Sequence, residues 1–547
     1  MALLLLLAWF NRFIQDDAFI SFRYARNIAR GLGPVWNQGE RVEGYTNFLW
    51  TLIMALPHAA GISPVGFSFG LGLVLFGVSL YLAYRVAAPI LGTAGRGLLV
   101  VLLLGTNYTF SAFATSGMET QLQTCLVCLA VFVLLNREDG RAPGPGRLGL
   151  LSGVLGLAIL TRPDSALPAV ALLVAAFRTT SRSRAGRVGG RLALLAPVLV
   201  LAGGWLVWKT LFYGNLLPNT FHAKAPDLTS VPRGCYYLAV FIITYFFFLL
   251  IPSAARAVKR LLMTKETGLG VAAALTALWL AYVLAFGGDF MEFRMLVPVT
   301  PFLFILMVWT LFNVVRNRGL RIALLAAVIA GSVFHGAFYG KGLLRRNPES
   351  VRQLAGHLTR EDENWAGIGR ALGRVFGPDA DVVIATTAAG AIPYYSGLKA
   401  VDMLGLNDPW VARAGRPIGS RPGHRRVATV AHLVEKGVNL VIGHPTLVRS
   451  DSAAGALELS EFIPGFRDDD HVPDGARLIE IPIDRGYRLV VLYLLRSECV
   501  DRAIAEHGWN VRAVPPPRPR AYRATDTGIR ASSSCSVQAA ASAPLMA

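Results

Sequence analysis

The first thirty residues, MALLLLLAWF NRFIQDDAFI SFRYARNIAR, decide the fold class of this chain. An apolar run at 3–13 leads into the acidic pair Asp16 and Asp17 without a small-residue cleavage site, so we expect an uncleaved membrane anchor. After the pair, apolar side chains recur at helical spacing, with arginines on the other faces. This pattern predicts an amphipathic helix along the membrane interface, with its apolar side in lipid.

The composition of the whole chain extends this membrane-like character. Of its 547 residues, 54% are hydrophobic and only 16% are charged, whereas ordinary soluble proteins carry about 25% charged residues. The net charge of +19 first suggests nucleic acid. However, the basic residues before 340 cluster in short loops between apolar runs, where membrane topology places them. We therefore expect a protein of the lipid bilayer with no nucleic-acid partner.

The loops between twelve apolar stretches give the orientation of this first part. Basic residues concentrate at 178–191, 256–265 and 316–321, which should face the cytoplasm. Alternation then leaves everything after 341 outside. A cytoplasmic N-terminus with an external C-terminal domain needs an odd number of crossings. The sequence thus predicts a polytopic α-helical membrane protein with about 11 transmembrane helices.

Three segments follow from the change in character along the chain. Residues 1–340 form the predicted transmembrane domain, with a first external loop at 15–45. Residues 341–513 alternate short buried strands with helical patterns, which predicts an extracytoplasmic α/β domain. The Pro-, Arg- and Ser-rich tail at 514–547 cannot form a packed core and is expected to be disordered.

Acidic side chains are rare before residue 340, and charge beside a membrane marks candidate functional sites. Only twelve occur there, and eight of them fall at four places: Asp16 with Asp17, Glu40 with Glu43, Glu119 with Asp164, and Asp289 with Glu292. Asp16 alone has a structural explanation as a helix cap, because its carboxylate would accept the first free backbone N–H groups. A cap explains one aspartate and not two, so we predict that the pair is catalytic.

An ordered set of motifs resembles the GT-C superfamily of membrane glycosyltransferases, and more closely the mycobacterial terminal β-(1→2)-arabinofuranosyltransferase family. The resemblance extends over roughly 16–410. Its motifs are DDAFISFRYARNIAR (16–30), GPVWNQGERVE (33–43), TNFLWT (46–51), TSGMET (115–120), LTRPD (160–164), YGNLLPN (213–219), GGDFM (287–291), GAIPYYS (390–396) and DMLGLNDP (402–409). It implies a GT-C-like fold in the bacterial cytoplasmic (inner) membrane.

The resemblance also implies an inverting transfer from a polyprenyl-phosphate sugar to an extracytoplasmic cell-envelope glycan or lipid-linked acceptor. The sugar of the resembling family is arabinofuranose, and no metal or other cofactor is implied. By this analogy Asp16 is the base that takes the proton of the acceptor hydroxyl, while Asp17 orients it or holds the acceptor. Two adjacent carboxylates also raise each other's proton affinity, which suits a base.

Further polar residues beside these motifs are candidate donor-binding groups. The leaving lipid phosphate needs cationic donors, for which the candidates are Arg41, Arg162, His222, Lys224 and Arg294. Each arginine could equally be an interfacial residue whose charged head reaches water. Four acids could bind sugar hydroxyls, or could be buried partners of these arginines: Glu43, Glu119, Asp164 and Asp289.

Turn-rich loops of the C-terminal domain supply three candidate acceptor-binding residues: Tyr394, Tyr395 and Asp402. The same loops could instead dock the domain on the helical bundle. Two other functions compete with the transferase, namely a transporter or flippase of lipid-linked sugars and a non-catalytic, glycan-binding envelope protein. The sequence shows no internal symmetry of the kind transporters often have, and a scaffold leaves the external acidic pair unexplained.

Overall fold

The computed structural model describes residues 1–136, 143–178, 184–224, 229–264, 266–335, 348–451, 457–467, 469–483 and 486–514. The predicted domain boundary at 340/341 and nearly all of the predicted disordered tail lie outside these ranges. Helices make up the first part, and a mixed sheet with short helices makes up the second.

Seventeen α-helices are described before residue 335. They are α1 Ala2–Phe10, α2 Asp16–Ala29, α3 Phe48–Ala59, α4 Pro64–Leu91, α5 Ala94–Thr106, α6 Tyr108–Ala112, α7 Thr120–Leu135, α8 Pro145–Thr161, α9 Ala166–Phe177, α10 Arg184–Val198, α11 Gly204–Tyr213, α12 Asn219–Lys224, α13 Ser230–Thr244, α14 Ile251–Met263, α15 Thr267–Phe286, α16 Thr300–Asn313 and α17 Arg318–Val333. A π-helical turn joins α10 to α11, and a 3₁₀ turn at Arg294–Val299 leads into α16.

Four helical segments in the described part are long and apolar enough to cross a membrane: Pro64–Leu91, Val188–Tyr213, Thr267–Phe286 and Arg294–Asn313. A fifth candidate is the pair Ser230–Thr244 and Phe247–Met263, which bends by 87° at its break. Five apolar helices of 10–17 residues accompany them. The described residues thus contain four or five candidate membrane spans, and the number of about 11 crossings stays a prediction.

Helix α2 differs from its prediction in what covers its apolar side. The side chains of Phe19, Phe22 and Ala25 are at most 1% exposed, and even Arg23 is only 4% exposed. Protein covers the apolar side of this helix, so the prediction that this side lies in lipid is wrong, while its position along the membrane interface stays a prediction. The reason is that its arginines find protein carbonyl acceptors, which makes their burial tolerable.

The C-terminal part adds seven helices: α18 Val351–Thr359, α19 Trp365–Phe376, α20 Ala391–Ser396, α21 Pro409–Ala414, α22 Val430–Glu435, α23 Leu459–Phe462 and α24 Glu498–His507. Its strands are β1 Val383–Thr386, β2 Lys399–Asp402, β3 Arg416–Pro417, β4 Arg426–Val427, β5 Leu440–Gly443, β6 Leu447–Arg449, β7 Arg477–Ile483, β8 Tyr487–Tyr493 and β9 Asn510–Ala513.

Seven of these strands form one mixed sheet in the order β2-β1-β5-β8-β7-β9, with β6 also paired to β8. Strand β1 is parallel to β2 and β5, while β8 runs antiparallel to β5 and β7. The continuous burial of β5 reflects a strand covered on both faces. The loop after β1 leads to α20, and this places segment 390–396 against α2 of the helical part.

Candidate active site

Helix α2 has two faces that serve different parts of the molecule. Residues 16, 19, 23 and 26 recur at helical spacing and contact the C-terminal domain. Residues 17 and 21 lie on another face, because neighbours on an α-helix are about 100° apart. Ser21 on that second face donates to Asn47, which continues toward the helical bundle. The two adjacent aspartates therefore lie in different environments.

The Asp16 carboxylate is bound by the C-terminal domain. Its Oδ1 accepts the backbone N–H of Ala391 at 2.8 Å, and its Oδ2 accepts that of Gly390 at 3.1 Å. Burial raises the pKa of Asp16 to about 7, although the two hydrogen bonds from Gly390 and Ala391 act to lower it. The neighbouring charge of Asp17 raises it further. Asp16 thus combines elevated proton affinity with a carboxylate that is already held in place.

The Asp17 carboxylate is more open. Its residue is half-buried, and no hydrogen-bonding partner of its carboxylate is found within the part of the chain that the structure describes. Burial raises the pKa of Asp17, while the charges of Lys224 and Arg294 oppose the shift. An available carboxylate beside cations can accept a proton from a bound hydroxyl.

Three predicted residues form one ion-pair network beside α7. The guanidinium of Arg162 makes a two-pronged contact with Asp164, with Nε–Oδ2 and Nη2–Oδ2 distances of 3.0 and 2.7 Å. Its Nη1 donates to Glu119 at 2.8 Å. Asn47 donates to the other oxygen of Glu119 at 2.7 Å. This Arg162 network joins the ends of α7 and α8, and through Asn47 and Ser21 it reaches α2.

A second ion pair lies next to it, between Asp289 and Arg294. The Nη2 of Arg294 lies 2.7 Å from Asp289 Oδ2, and the backbone N–H of Phe290 donates to Oδ1 at 2.8 Å. Burial alone would raise the pKa of Asp289, but Arg294 and Lys224 hold that pKa below its ordinary value. A narrow cavity is lined by both arginines and Asp164, together with Gln123, Trp279 and other residues.

Lys224 completes the charged cluster, which we define as Asp17, Glu119, Arg162, Asp164, Lys224, Asp289 and Arg294. Its ammonium lies 6.0 Å from the centre of the Phe290 ring, at the end of α12. No carboxylate lies within 4 Å of this ammonium among the described residues, unlike either arginine. Among the three cations of the cluster, Lys224 is therefore the one most available to an incoming anion.

Three other predicted donor-site residues lie elsewhere. Glu43 is ion-paired with the buried Lys209, and the exposed Arg41 stacks over the Phe212 ring at 4.8 Å. His222 is half-buried on α12, and burial lowers the pKa of its ring. The structure shows no contact of these three with the charged cluster among the residues it describes.

The three predicted acceptor residues have structural contacts. Tyr394 and Tyr395 pack on Phe19 of α2, with ring centres 5.3 and 5.2 Å apart. Asp402 is 1% exposed, and its carboxylate accepts N–H groups of its own turn at 404, 405 and 407. These contacts match the docking explanation of the loops.

Sequence reasoning missed the polar residues that connect the site. Asn47 bridges α2 to Glu119, and Gln123 donates to Asp164 at 2.8 Å. Tyr282 also reaches Asp164, at 3.3 Å. Gln123 lies in the apolar helix α7 and Asn47 directly precedes the apolar helix α3, so a search for uncharged polar residues in and beside apolar helices could have found them. The amides of Gly390 and Ala391 carry no side-chain signal at all.

The comparisons with known proteins agree with the motif resemblance. Residues 352–509 match a family described as a domain of unknown function (DUF8728). Two curated relatives are named terminal β-(1→2)-arabinofuranosyltransferase. The protein of Mycobacterium tuberculosis is 31% identical over 257 residues, which is 43% of this chain and 38% of that relative. The protein of Corynebacterium glutamicum is 29% identical over 331 residues, which is 53% of this chain and 46% of that relative.

Two solved structures also align with much of the chain. ArnT from Cupriavidus metallidurans bound to undecaprenyl phosphate has a TM-score of 0.49 at 15% identity, covering 73% of this chain and 84% of that one. The Archaeoglobus fulgidus oligosaccharyltransferase tethered with an acceptor peptide has a TM-score of 0.44 at 9% identity, covering 80% and 65%. The chain spans less than half the length of the curated relatives it matches, and it is similar in sequence to proteins named terminal β-(1→2)-arabinofuranosyltransferase.

Proposed function

We propose that this chain is an inverting membrane glycosyltransferase that moves a sugar from a polyprenyl-phosphate donor to an extracytoplasmic acceptor. One observation carries the proposal. The face of α2 that carries the half-buried Asp17 reaches Glu119 through Ser21 and Asn47, and Arg162 and Arg294 line one cavity beside it. Because the charges of Lys224 and Arg294 also oppose the rise in the pKa of Asp17, we infer that a proton acceptor and cations for a leaving phosphate lie together. The curated relatives support the same reaction class by their names.

The reaction balances with these groups alone. The acceptor hydroxyl attacks the anomeric carbon and its proton passes to the Asp17 carboxylate. The bond between that carbon and the phosphate oxygen breaks, and its electron pair leaves with the lipid phosphate. Lys224 can offset the charge that develops on this phosphate, because it is a cation without a close carboxylate partner among the described residues. Attack opposite to the leaving group inverts the anomeric centre.

We assign the base to Asp17, although the motif resemblance gave this role to Asp16. Both oxygens of Asp16 already accept backbone N–H groups, and its residue is 6% exposed. A base must come within hydrogen-bond reach of the hydroxyl it deprotonates. The half-buried Asp17 meets this requirement better.

The two arginines have a different role in this proposal. Arg162 contacts both Glu119 and Asp164, and Arg294 contacts Asp289, so their charges are already offset by carboxylates. Such pairs hold their carboxylate oxygens in fixed positions, where the oxygens can also accept hydrogen bonds from sugar hydroxyls. We therefore assign sugar binding to the carboxylates and phosphate binding mainly to Lys224.

The finer identity of the substrates follows from the relatives. We propose arabinofuranose as the sugar and a cell-envelope glycan or lipid-linked glycan as the acceptor. The proposed setting is the bacterial cytoplasmic (inner) membrane, with the C-terminal domain outside.

A reconstitution assay tests the proposal. Purified protein in detergent is incubated with polyprenyl-phospho-arabinofuranose and a synthetic arabinan acceptor, and products are resolved by mass spectrometry. The matched control donor is polyprenyl-phospho-mannose with the same lipid. We expect one added pentose and inverted anomeric configuration by NMR. If the protein instead moves the donor lipid across the membrane of proteoliposomes and transfers no sugar to the acceptor, it is a flippase.

A further inference from the structure

We infer that the C-terminal domain completes the active site by fixing Asp16 through the backbone amides of Gly390 and Ala391. In this arrangement Asp16 and Gly390 are positioning residues, and they act on the reaction through the adjacent Asp17. The inference rests on the proposed function and adds to it a requirement for the docked domain.

The contact between the two parts of the chain is unusually close at Gly390. A Cβ atom on this residue would lie 2.0 Å from the Asp16 carbonyl oxygen and 2.7 Å from its carboxyl carbon. Real side chains do not tolerate such approaches, and the obstacle is partly backbone. Residue 390 must therefore lack a side chain for its N–H to reach the Asp16 carboxylate.

Other bonds fix the same face of α2 to the same segment. Arg26 donates to the carbonyl of Tyr394 at 2.7 Å, and Arg23 donates to that of Leu398 at 2.8 Å. Arg23 also donates to the carbonyl of Pro393. These bonds span most of the helix, so the domain sets both the position and the rotation of α2.

The rotation of α2 matters because Asp17 is one residue from Asp16. Holding Asp16 on the domain side turns Asp17, about 100° away, toward the charged cluster. Buried charge-assisted bonds of this kind also resist small movements. Since a displacement of about 1 Å can cost about 10²-fold in rate, the contact should determine kcat more than donor binding.

Two variants and a matched control test this inference in the full-length protein. Gly390→Ala removes the space that the contact needs. Asp16→Asn keeps the shape but replaces one acceptor oxygen by an amide donor. Gly475→Ala is the control, because a Cβ there meets no atom within 4 Å. Thermal melting identifies any variant that fails to fold.

Two readouts separate positioning from general damage. Hydrogen exchange measured by mass spectrometry on peptides covering 388–396 reports the amide bonds directly, without activity. Transfer kinetics with the polyprenyl-phosphate donor give kcat and KM. In both variants we expect faster exchange, a kcat lowered by about 10²-fold and a donor KM within about twofold of the wild-type value. The control Gly475→Ala should behave like the wild-type protein in both readouts.

Several results would overturn the inference. Unchanged exchange in Asp16→Asn would mean that the contact is absent, and faster exchange with unchanged kcat would mean that it does not position the site. A rise in donor KM equal to the fall in kcat would indicate a collapsed site. If the wild-type protein transfers no sugar at all, the proposed function fails, and the exchange data alone then confirm or refute the contact.

Discussion

The backbone N–H of Ala391 donates to the carboxylate of Asp16 over 2.8 Å, although the two residues are 375 positions apart in the chain. This bond gives the two adjacent acids different partners. Asp16 belongs to the contact between α2 and the C-terminal domain, whereas Asp17 belongs to the charged cluster. The two acids should therefore respond differently to substitution.

Asp17→Asn should abolish transfer while leaving the fold intact. The amide cannot accept the acceptor proton, and loss of a general base typically lowers the rate by about 10²–10⁴-fold. Steady-state transfer and donor binding measured on the purified variant check this. The exposed Asp474→Asn is the matched control. Exchange at 388–396 should match wild type, and activity within a few-fold of wild type would remove Asp17 from the catalytic role.

Asp16 should make stability depend on pH. Its pKa is about 7 in the folded protein against an ordinary value near 3.8, so between these values the folded state holds a proton that the unfolded state lacks. This contribution stabilises the protein as pH falls through 7 toward 4, and it is lost as pH rises. Melting temperatures of wild type and Asp16→Asn at pH 4 to 9 measure it. The melting temperature of the wild type minus that of Asp16→Asn should decrease as pH rises from 4 to 7 and stay constant above pH 7. A difference that does not change with pH would contradict the prediction.

Arg162→Gln should destabilise the protein strongly. The substitution leaves the buried carboxylates of Glu119 and Asp164 without their cation, which typically costs about 3–5 kcal/mol. Equilibrium unfolding in mixed micelles measures this cost. Arg162→Lys should recover only part of it, because an ammonium cannot reproduce the two-pronged contact.

The chain offers a matched control for this substitution. Arg449 and Asp451 have the same two-residue spacing as Arg162 and Asp164, but both side chains are about two-thirds exposed. Such surface pairs contribute little. Arg449→Gln should therefore leave unfolding unchanged, and an equal effect of both substitutions would contradict the importance of burial.

The double substitution Tyr394→Ala with Tyr395→Ala should lower thermal stability and reduce donor and acceptor kinetics together. Both rings pack on Phe19, so their removal loosens the domain contact. Melting curves and kinetics with varied acceptor decide the matter. A rise in acceptor KM alone, in a stable variant, would instead restore these tyrosines as acceptor-binding residues.

The predicted topology is open to chemical labelling of intact cells. In a variant without the native cysteines, an impermeant maleimide should label a cysteine introduced at the exposed Glu506. It should not label a cysteine introduced at the exposed Lys259 of α14, which lies in a predicted cytoplasmic loop. Labelling at Lys259 from outside, with none at Glu506, would reverse the orientation.

The sequence by itself determined the apolar helical character of the first part and the sheet of the C-terminal part, and it singled out the acidic pair as a candidate site. Apolar runs and their basic loops are local patterns with one physical cause, the cost of charge in lipid. The four apolar runs that predict strands, at 382–385, 439–442, 478–483 and 489–495, lie on β1, β5, β7 and β8, because short apolar runs between turns are also local. Five predicted site residues lie in one cluster of ion pairs around a shared cavity: Glu119, Arg162, Asp164, Asp289 and Arg294.

Only the tertiary structure decided how Asp16 differs from Asp17 and what covers α2. The partners of Asp16 are backbone amides more than 370 residues away, and backbone amides have no signature in a sequence. The local sequence does not predict the burial of Arg23 either, since an arginine in an amphipathic pattern is usually expected to face water. Its burial depends on hydrogen bonds to the carbonyls of Trp36 and Leu398, which only the folded chain brings close. Long-range packing determines which group a charge meets, and so the roles within the acidic pair depend on the folded chain.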